Sequence, residues 1–170
     1  MNTSAITTVL KDILPVGMMQ QVWFRGAPRA AWLYTMRSSR SHNSDPQVLA
    51  LRRYLENGGF LMIDDSWGEE EETNVLSQMR RVFPNHAAKE LPSDHKIFHC
   101  VFDLNEKPQV CSLFYALNGR AAGVTWERPD AKNVSYQGIT NDSGRLMVLI
   151  CHNTDLADGW ERVDDDAWYA

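Results

Sequence analysis

The stretch Phe60-Leu61-Met62-Ile63-Asp64-Asp65-Ser66-Trp67-Gly68 decides the fold. Four consecutive apolar residues, with no alternation, mark a strand buried on both faces. The switch to two carboxylates, a hydroxyl and a glycine marks its end. A second stretch repeats the arrangement: Leu146-Met147-Val148-Leu149-Ile150-Cys151 runs into His152-Asn153-Thr154-Asp155-Leu156-Ala157-Asp158-Gly159-Trp160-Glu161. If both runs are parallel strands, their loops open on one sheet edge. That edge, beyond the carboxyl ends of the strands, is where open α/β sheets seat ligands.

Upstream of the first stretch, Ser44 or Asp45 is placed to cap a helix with Pro46 in its first turn. Val48, Leu51 and Leu55 form its core stripe, with Leu49 and Tyr54 beside it, and Asn57-Gly58-Gly59 supplies a left-handed stop. Ala30 to Met36 reads as a buried strand, so strand, helix and strand form a βαβ unit of right-handed crossover. Gln20 to Phe24 reads as a strand or extended lead-in, and residues 5–14 as a short amphipathic helix ended by Pro15.

Downstream, Glu70 to Phe83 reads as a helix with Val75, Leu76, Met79, Val82 and Phe83 on one face. Glu69 to Glu72 complement its dipole at the start, as Arg80 and Arg81 do near the end. Asn85 to Pro108 reads as a long ordered loop with a short helical or extended piece at Ile97 to Phe102. Val110 to Leu117, Gly123 to Glu127 and Val134 to Ile139 read as short strands, with turns at Asn118-Gly119 and Pro129-Asp130. Asn141-Asp142-Ser143-Gly144 is a turn before the last strand, Arg145 to Cys151. The residues after Cys151 read as a glycine-containing loop.

At 170 residues, with 44% hydrophobic and 23% charged residues, the chain has the composition of one globular domain. A formal charge of −5 argues against nucleic acid as a partner, which calls for a basic stripe. The paired arginines Arg52-Arg53 and Arg80-Arg81 read as solvated helix faces. No stretch is apolar for the roughly 20 residues a membrane helix needs. Met1 to Met19 lacks the pattern of a secretory signal, so a cytoplasmic location is the expectation. Cys100, Cys111 and Cys151 match neither a metal spacing nor an even disulfide framework. Cys111 and Cys151 lie in apolar runs and read as buried thiols.

The segments "LRRYLENGGFLMIDDSWG" (51–68), "MRRVFP" (79–84), "LPSDHKIFHCVFDLNEKPQV" (91–110), "GVTWERPDA" (123–131) and "GRLMVLICHNTDLADGWE" (144–161) resemble a bacterial family known as domain of unknown function 4159. The resemblance runs from about Arg29 to Tyr169. It implies a three-layer, flavodoxin-like fold with a parallel-core sheet, similar to the class I glutamine amidotransferases. Relative to that pattern, Met1 to Pro28 shows little likeness and a further helix and strand beyond Tyr169 are missing. Uncovered edges and an oligomer are the corresponding expectations. Amidotransferase activity is not expected. That chemistry needs a cysteine on a sharp strand-to-helix turn, and the turn after Ile63 holds Asp64-Asp65-Ser66.

The candidate site residues lie at the strand ends. Asp64 and Asp65 suit a divalent cation or a division of acid and base roles. Their structural alternative is Asp64 capping the following loop while Asp65 faces water. Ser66 reads as a helix cap. His152 suits a metal ligand, a general base or a ligand hydrogen bond, or else satisfies loop carbonyls. With His42, from the loop after Ala30 to Met36, these residues make a candidate mixed metal set of His42, Asp64, Asp65 and His152. Asn153, Asp155 and Asp158 follow in a loop able to fold toward His152. Trp67 and Trp160 read as walls of a pocket or as covers of a core edge. His95 and His99 read as pins of the long loop.

Two functions compete. One is a non-catalytic ligand-binding or accessory domain on an amidotransferase-like scaffold, using Asp64, Asp65, Trp67, His152, Asn153, Asp158 and Trp160. Its partner is a small polar molecule, a glycan or a protein. The other is a metal-assisted hydrolase with Asp64, Asp65 and His152 as catalytic candidates and a divalent metal as cofactor. A purely structural subunit completed by a partner chain is a third possibility.

Overall fold

A computed structural model describes residues 21–24, 45–162 and 164 of the chain. The elements are β1 (Gln21–Phe24), α1 (Asp45–Glu56), β2 (Leu61–Ser66), α2 (Gly68–Val82), β3 (Lys89–Glu90), a 3-10 turn (Lys96–His99), α3 (Leu113–Gly119), a second 3-10 turn (Arg120–Ala122), β4 (Ser135–Thr140), β5 (Leu146–His152) and α4 (Leu156–Glu161). The expected helix at 5–14, the strand at 30–36 and His42 lie outside the described residues.

The five strands form one sheet in the order β1-β2-β5-β4-β3. The central pair β2 and β5 is parallel, as their two apolar runs suggest. The pairings β1–β2, β3–β4 and β4–β5 are antiparallel. Among the described residues the sheet is therefore mixed, and the architecture is α/β.

Continuous apolarity in β2 and β5 has a direct structural cause. Leu61 and Ile63 pack in one cluster with Val148 and Ile150, together with Leu51 and Leu55 of α1 and Val75 and Met79 of α2. Met62, Leu149 and Cys151 belong to a second cluster, with Leu91, Phe98 and Tyr136. Alternate residues of a strand point to opposite faces, so both faces are dry here. Helices α1 and α2 cover one face. The irregular 91–108 segment and α4 help cover the other, with Phe98 stacked edge-on against Tyr136.

That second layer explains why so long a loop is ordered. Leu91 and Phe98 are buried, and the Tyr136 hydroxyl donates to Pro108 O at 2.8 Å. His99 Nε2 donates to Ser93 O at 3.0 Å, and His95 Nδ1 accepts from Ile97 N at 3.3 Å. Both histidines pin the loop.

Helix α1 ends as its sequence dictates. Gly58 takes φ +97, a left-handed step, while Gly59 N bonds Tyr54 O at 3.0 Å. Arg145 of the neighbouring turn donates to Gly59 O at 2.9 Å and to Leu55 O. Arg52 is not simply solvated: its guanidinium donates to Val82 O and Arg81 O, closing the end of α2. Leu49, expected beside the core stripe, is 42% exposed.

Four local expectations fail. The apolar run Val110 to Leu117 is not a strand, because Leu113–Gly119 winds into α3. Within α3 only Ala116 is buried, and Cys111 is buried just before it. Asn118-Gly119 ends that helix instead of turning a hairpin. Gly123 to Glu127 is irregular, with Val124 N bonded to Gly119 O at 3.1 Å. The loop after Cys151 contains a short helix, Leu156–Glu161, capped by the Asp155 carboxylate on Asp158 N at 3.0 Å.

Candidate functional site at the strand ends

The two parallel strands run in step through Ile63 and Ile150, and Ser66 then pairs with His152. Three steps on β2 thus match two on β5. The extra residue is accommodated at Asp65, whose φ of +60 is left-handed without being glycine. Asn153 takes the same turn at the end of β5, with φ +59. The strand ends are then stitched together: Asn153 N donates to Ser66 O at 2.6 Å and Asp65 N to Thr154 O at 3.1 Å. Bulges of this kind re-aim side chains, and left-handed non-glycine residues concentrate at functional sites.

Asp64, Asp65, Ser66, His152, Asn153 and Asp155 are brought together at this rim. Their roles differ from simple expectation. Ser66 does not cap α2. Its hydroxyl lies 3.0 Å from His152 Nδ1, and both residues are buried. Burial pushes the His152 imidazole below its usual range, keeping it neutral at neutral pH.

The first amides of α2 are instead satisfied from three directions. Trp67 N donates to Glu71 Oε2 at 2.8 Å, Gly68 N to Asn153 Oδ1 at 2.9 Å, and Glu69 N to Asp130 Oδ2 at 3.0 Å. Glu71 also pairs with Arg128, and burial raises its pKa. Accepting from the Glu69 amide lowers that of Asp130. Gly68 is required here: its φ is +80, and a Cβ would stand 2.6 Å from Asp130 Oδ2.

Asp64 does more than cap its own loop, where the Asp65 amide lies within its reach. It is fully buried and reaches across to α4, where Oδ2 accepts from Ala157 N at 3.0 Å. Its Oδ1 is buried with no hydrogen-bond partner. Burial, reinforced by Asp155, raises its pKa well above the carboxylate range. Asp65 is half-buried, not water-facing, and Oδ1 accepts from Trp67 Nε1 at 2.9 Å. Burial, with Asp155 and Glu127 nearby, pushes it up to about 9. Burial pushes Asp155 up to about 7. Burial therefore favours the protonated forms of Asp64 and Asp65 at neutral pH.

The tryptophans part company. Trp67 is buried against Cys111, Ala116 and Ala131, covering a core edge, whereas Trp160 is 55% exposed. Asn153 is buried in structural bonds, its Nδ2 donating to Asn133 O at 2.7 Å. Asp158 is half-buried near Arg162, at 3.9 Å. Among the described residues no group of three or more His, Cys, Asp or Glu side chains is placed to hold a metal ion, and His42 lies outside them.

Sequence reasoning missed the roles of Glu71, Asp130 and Gln109, while Glu127, with Arg128, is open to reading as a polar wall. Gln109 Nε2 donates to Asn153 O at 3.0 Å and to Ala131 O at 3.1 Å, binding the 126–133 loop to the rim. Glu127 Oε1 accepts from Ser112 N at 2.7 Å. Glu71 stood in view within the acidic run at the α2 start, where charge alone masks its bond to Trp67 N.

Among the described residues no helix is long and apolar enough to cross a membrane. No curated protein and no solved structure gave a significant match to the chain. One family profile covers residues 28–169, described as "Domain of unknown function (DUF4159)". That match spans most of the sequence, including both strands and every rim residue discussed above, and the chain belongs to the DUF4159 family.

Proposed function

We propose that this chain is a non-catalytic ligand-binding or accessory domain, built on a flavodoxin-like scaffold similar to that of the glutamine amidotransferases. Its ligand is a small polar molecule seated at the rim of β2 and β5. One observation carries the reading: the rim's nucleophile and base are closed on each other. Ser66 and His152 are 0% and 3% exposed and share a hydrogen bond, and the rim thiol Cys151 is fully buried. A working nucleophile has to reach substrate as well as base. The half-buried side chains of Asp65 and Glu127 are the polar groups left to meet a ligand.

A panel of sugars, carboxylates and amines, titrated into isotopically labelled chain, tests this. Saturable NMR shifts of the Asp65 and Asp155 amides and the Trp67 indole N–H are expected for at least one compound. Uniform silence of those signals across the panel at millimolar concentration overturns the ligand-binding reading.

A further inference from the structure

We infer that His99 is a pH-sensitive clasp: its doubly protonated ring ties residues 100–103 to the turn at 92–95, and loss of one proton frees one side. The device uses no residue of the β2–β5 rim. In the stretch Phe98-His99-Cys100-Val101-Phe102-Asp103-Leu104, Phe98 is buried edge-on against Tyr136, whereas Val101 and Phe102 are 79% and 77% exposed. Leu104 N donates to Phe98 O at 3.0 Å. Residues 99–103 therefore form an arch closed at its base, carrying two exposed apolar side chains.

Both ring nitrogens of His99 face acceptors. Nδ1 lies 3.1 Å from Asp103 Oδ1 and Nε2 lies 3.0 Å from Ser93 O. Among the described residues these are the ring's hydrogen bonds. An ionised carboxylate and a backbone carbonyl can only accept, so a neutral imidazole, with one N–H, satisfies one of them and the imidazolium satisfies both. His95 makes the contrast: its Nδ1 accepts from Ile97 N at 3.3 Å, so that nitrogen carries no proton.

Histidine changes charge between about pH 5 and pH 8, which gives the clasp two states. On the acid side both contacts hold. As pH rises the ring, 34% exposed, gives one proton to solvent. A charged acceptor holds the remaining N–H more strongly than a carbonyl does, so the proton stays on Nδ1 and the Ser93 contact is lost. The titratable groups on the same loop are Asp94, His95, Lys96, Cys100 and Asp103. On the segments packed with it, Glu90 and Lys107 pair with each other and the Tyr136 hydroxyl is held by Pro108 O. Asp103 is 86% exposed, so solvent weakens the pair and the switch moves the arch severalfold, not by orders of magnitude.

Nitrogen-15 NMR of the histidine rings in the full chain, at about pH 5.5 and about pH 8, tests the clasp. The His99 ring is expected doubly protonated at the first pH and as the Nδ1–H tautomer at the second. Hydrogen-exchange protection of the Leu104 amide, taken relative to its intrinsic rate, should fall about two- to tenfold across the interval. In His99→Gln the side chain offers N–H donors that do not titrate, so protection should not change with pH. His99→Ala should be weakly protected at both points, and Asp103→Asn should move the neutral ring toward Nε2–H. A pH dependence that survives in His99→Gln overturns the proposal. So does a neutral wild-type ring found as Nε2–H, or Leu104 protection that stays constant while the ring loses its proton.

Discussion

Replacing Asp155 by asparagine should make the protein more stable at alkaline pH, although it removes a charged residue from a helix cap. The Asp155 carboxyl moves from an ordinary 3.8 to about 7, chiefly through burial and further through Asp158 and Glu127. At about 1.4 kcal/mol per pH unit, that gap is worth about 4 kcal/mol. The sign follows from proton counting. Between the two values the folded chain holds a proton that the unfolded chain has lost, so rising pH favours unfolding. The cost is absent below about pH 4 and complete above about pH 7. Asparagine has no such cost and still offers Oδ1 to Asp158 N, because asparagine caps helices as well as aspartate does. Urea unfolding at about pH 5 and about pH 8 measures the effect. Wild type should lose several kcal/mol across that interval, and Asp155→Asn should lose about 2.6 kcal/mol less, because part of the cost is already present at pH 5. Asp64 and Asp65, raised in the same direction, steepen the wild-type decline. Wild-type stability that is flat or rising with pH would refute the reasoning, as would an asparagine variant weaker than wild type at the alkaline point.

Other outcomes follow from the same geometry. Ser66→Ala and His152→Ala should each cost about 1–3 kcal/mol, and a double-mutant cycle should show positive coupling; additive losses would mean the 3.0 Å bond contributes nothing. Gly68→Ala should cost about 1–3 kcal/mol from the left-handed backbone alone. Adding Asp130→Ala should recover only the part due to the clash, so full recovery in urea unfolding would contradict a backbone origin. Of the three cysteines, Cys100 is exposed while Cys111 and Cys151 are buried with raised thiol pKa values. An aromatic disulfide reagent should therefore titrate one thiol in the folded chain and the other two only after denaturation, and fast reaction of a second thiol without unfolding would count against the described packing.

The legible parts of this fold are those where one physical signal dominates. Helix α1 carries a cap, a core stripe and a glycine stop, and β2 and β5 carry unbroken apolar runs, so pattern alone placed them. The rim was legible for the same reason, because parallel neighbours deliver their loops to one edge. What stayed hidden depends on partners remote in sequence. Ser66 and His152 are separated by 86 positions, and nothing near Ser66 announces an imidazole. The run Val110 to Leu117 has no strong period, so its residues alone do not separate a strand from the helix that forms at Leu113–Gly119. The left-handed turn at Asp65 lacks a glycine to mark it. Trp67 was readable as a wall or a cover, and its burial beside Cys111 settles its place in the core.

The unequal step count between β2 and β5 makes this rim sensitive to arithmetic. Side chains on a strand change sides with every residue, so shortening the Ile63–Ser66 interval by one restores an even ladder and removes the left-handed step that sets how Ser66 meets the imidazole. The same loss removes the reason for a left-handed backbone, and with it the reach of Asp64 toward α4. Substitutions at this edge change individual bonds, whereas a single deletion dismantles the whole constellation at once.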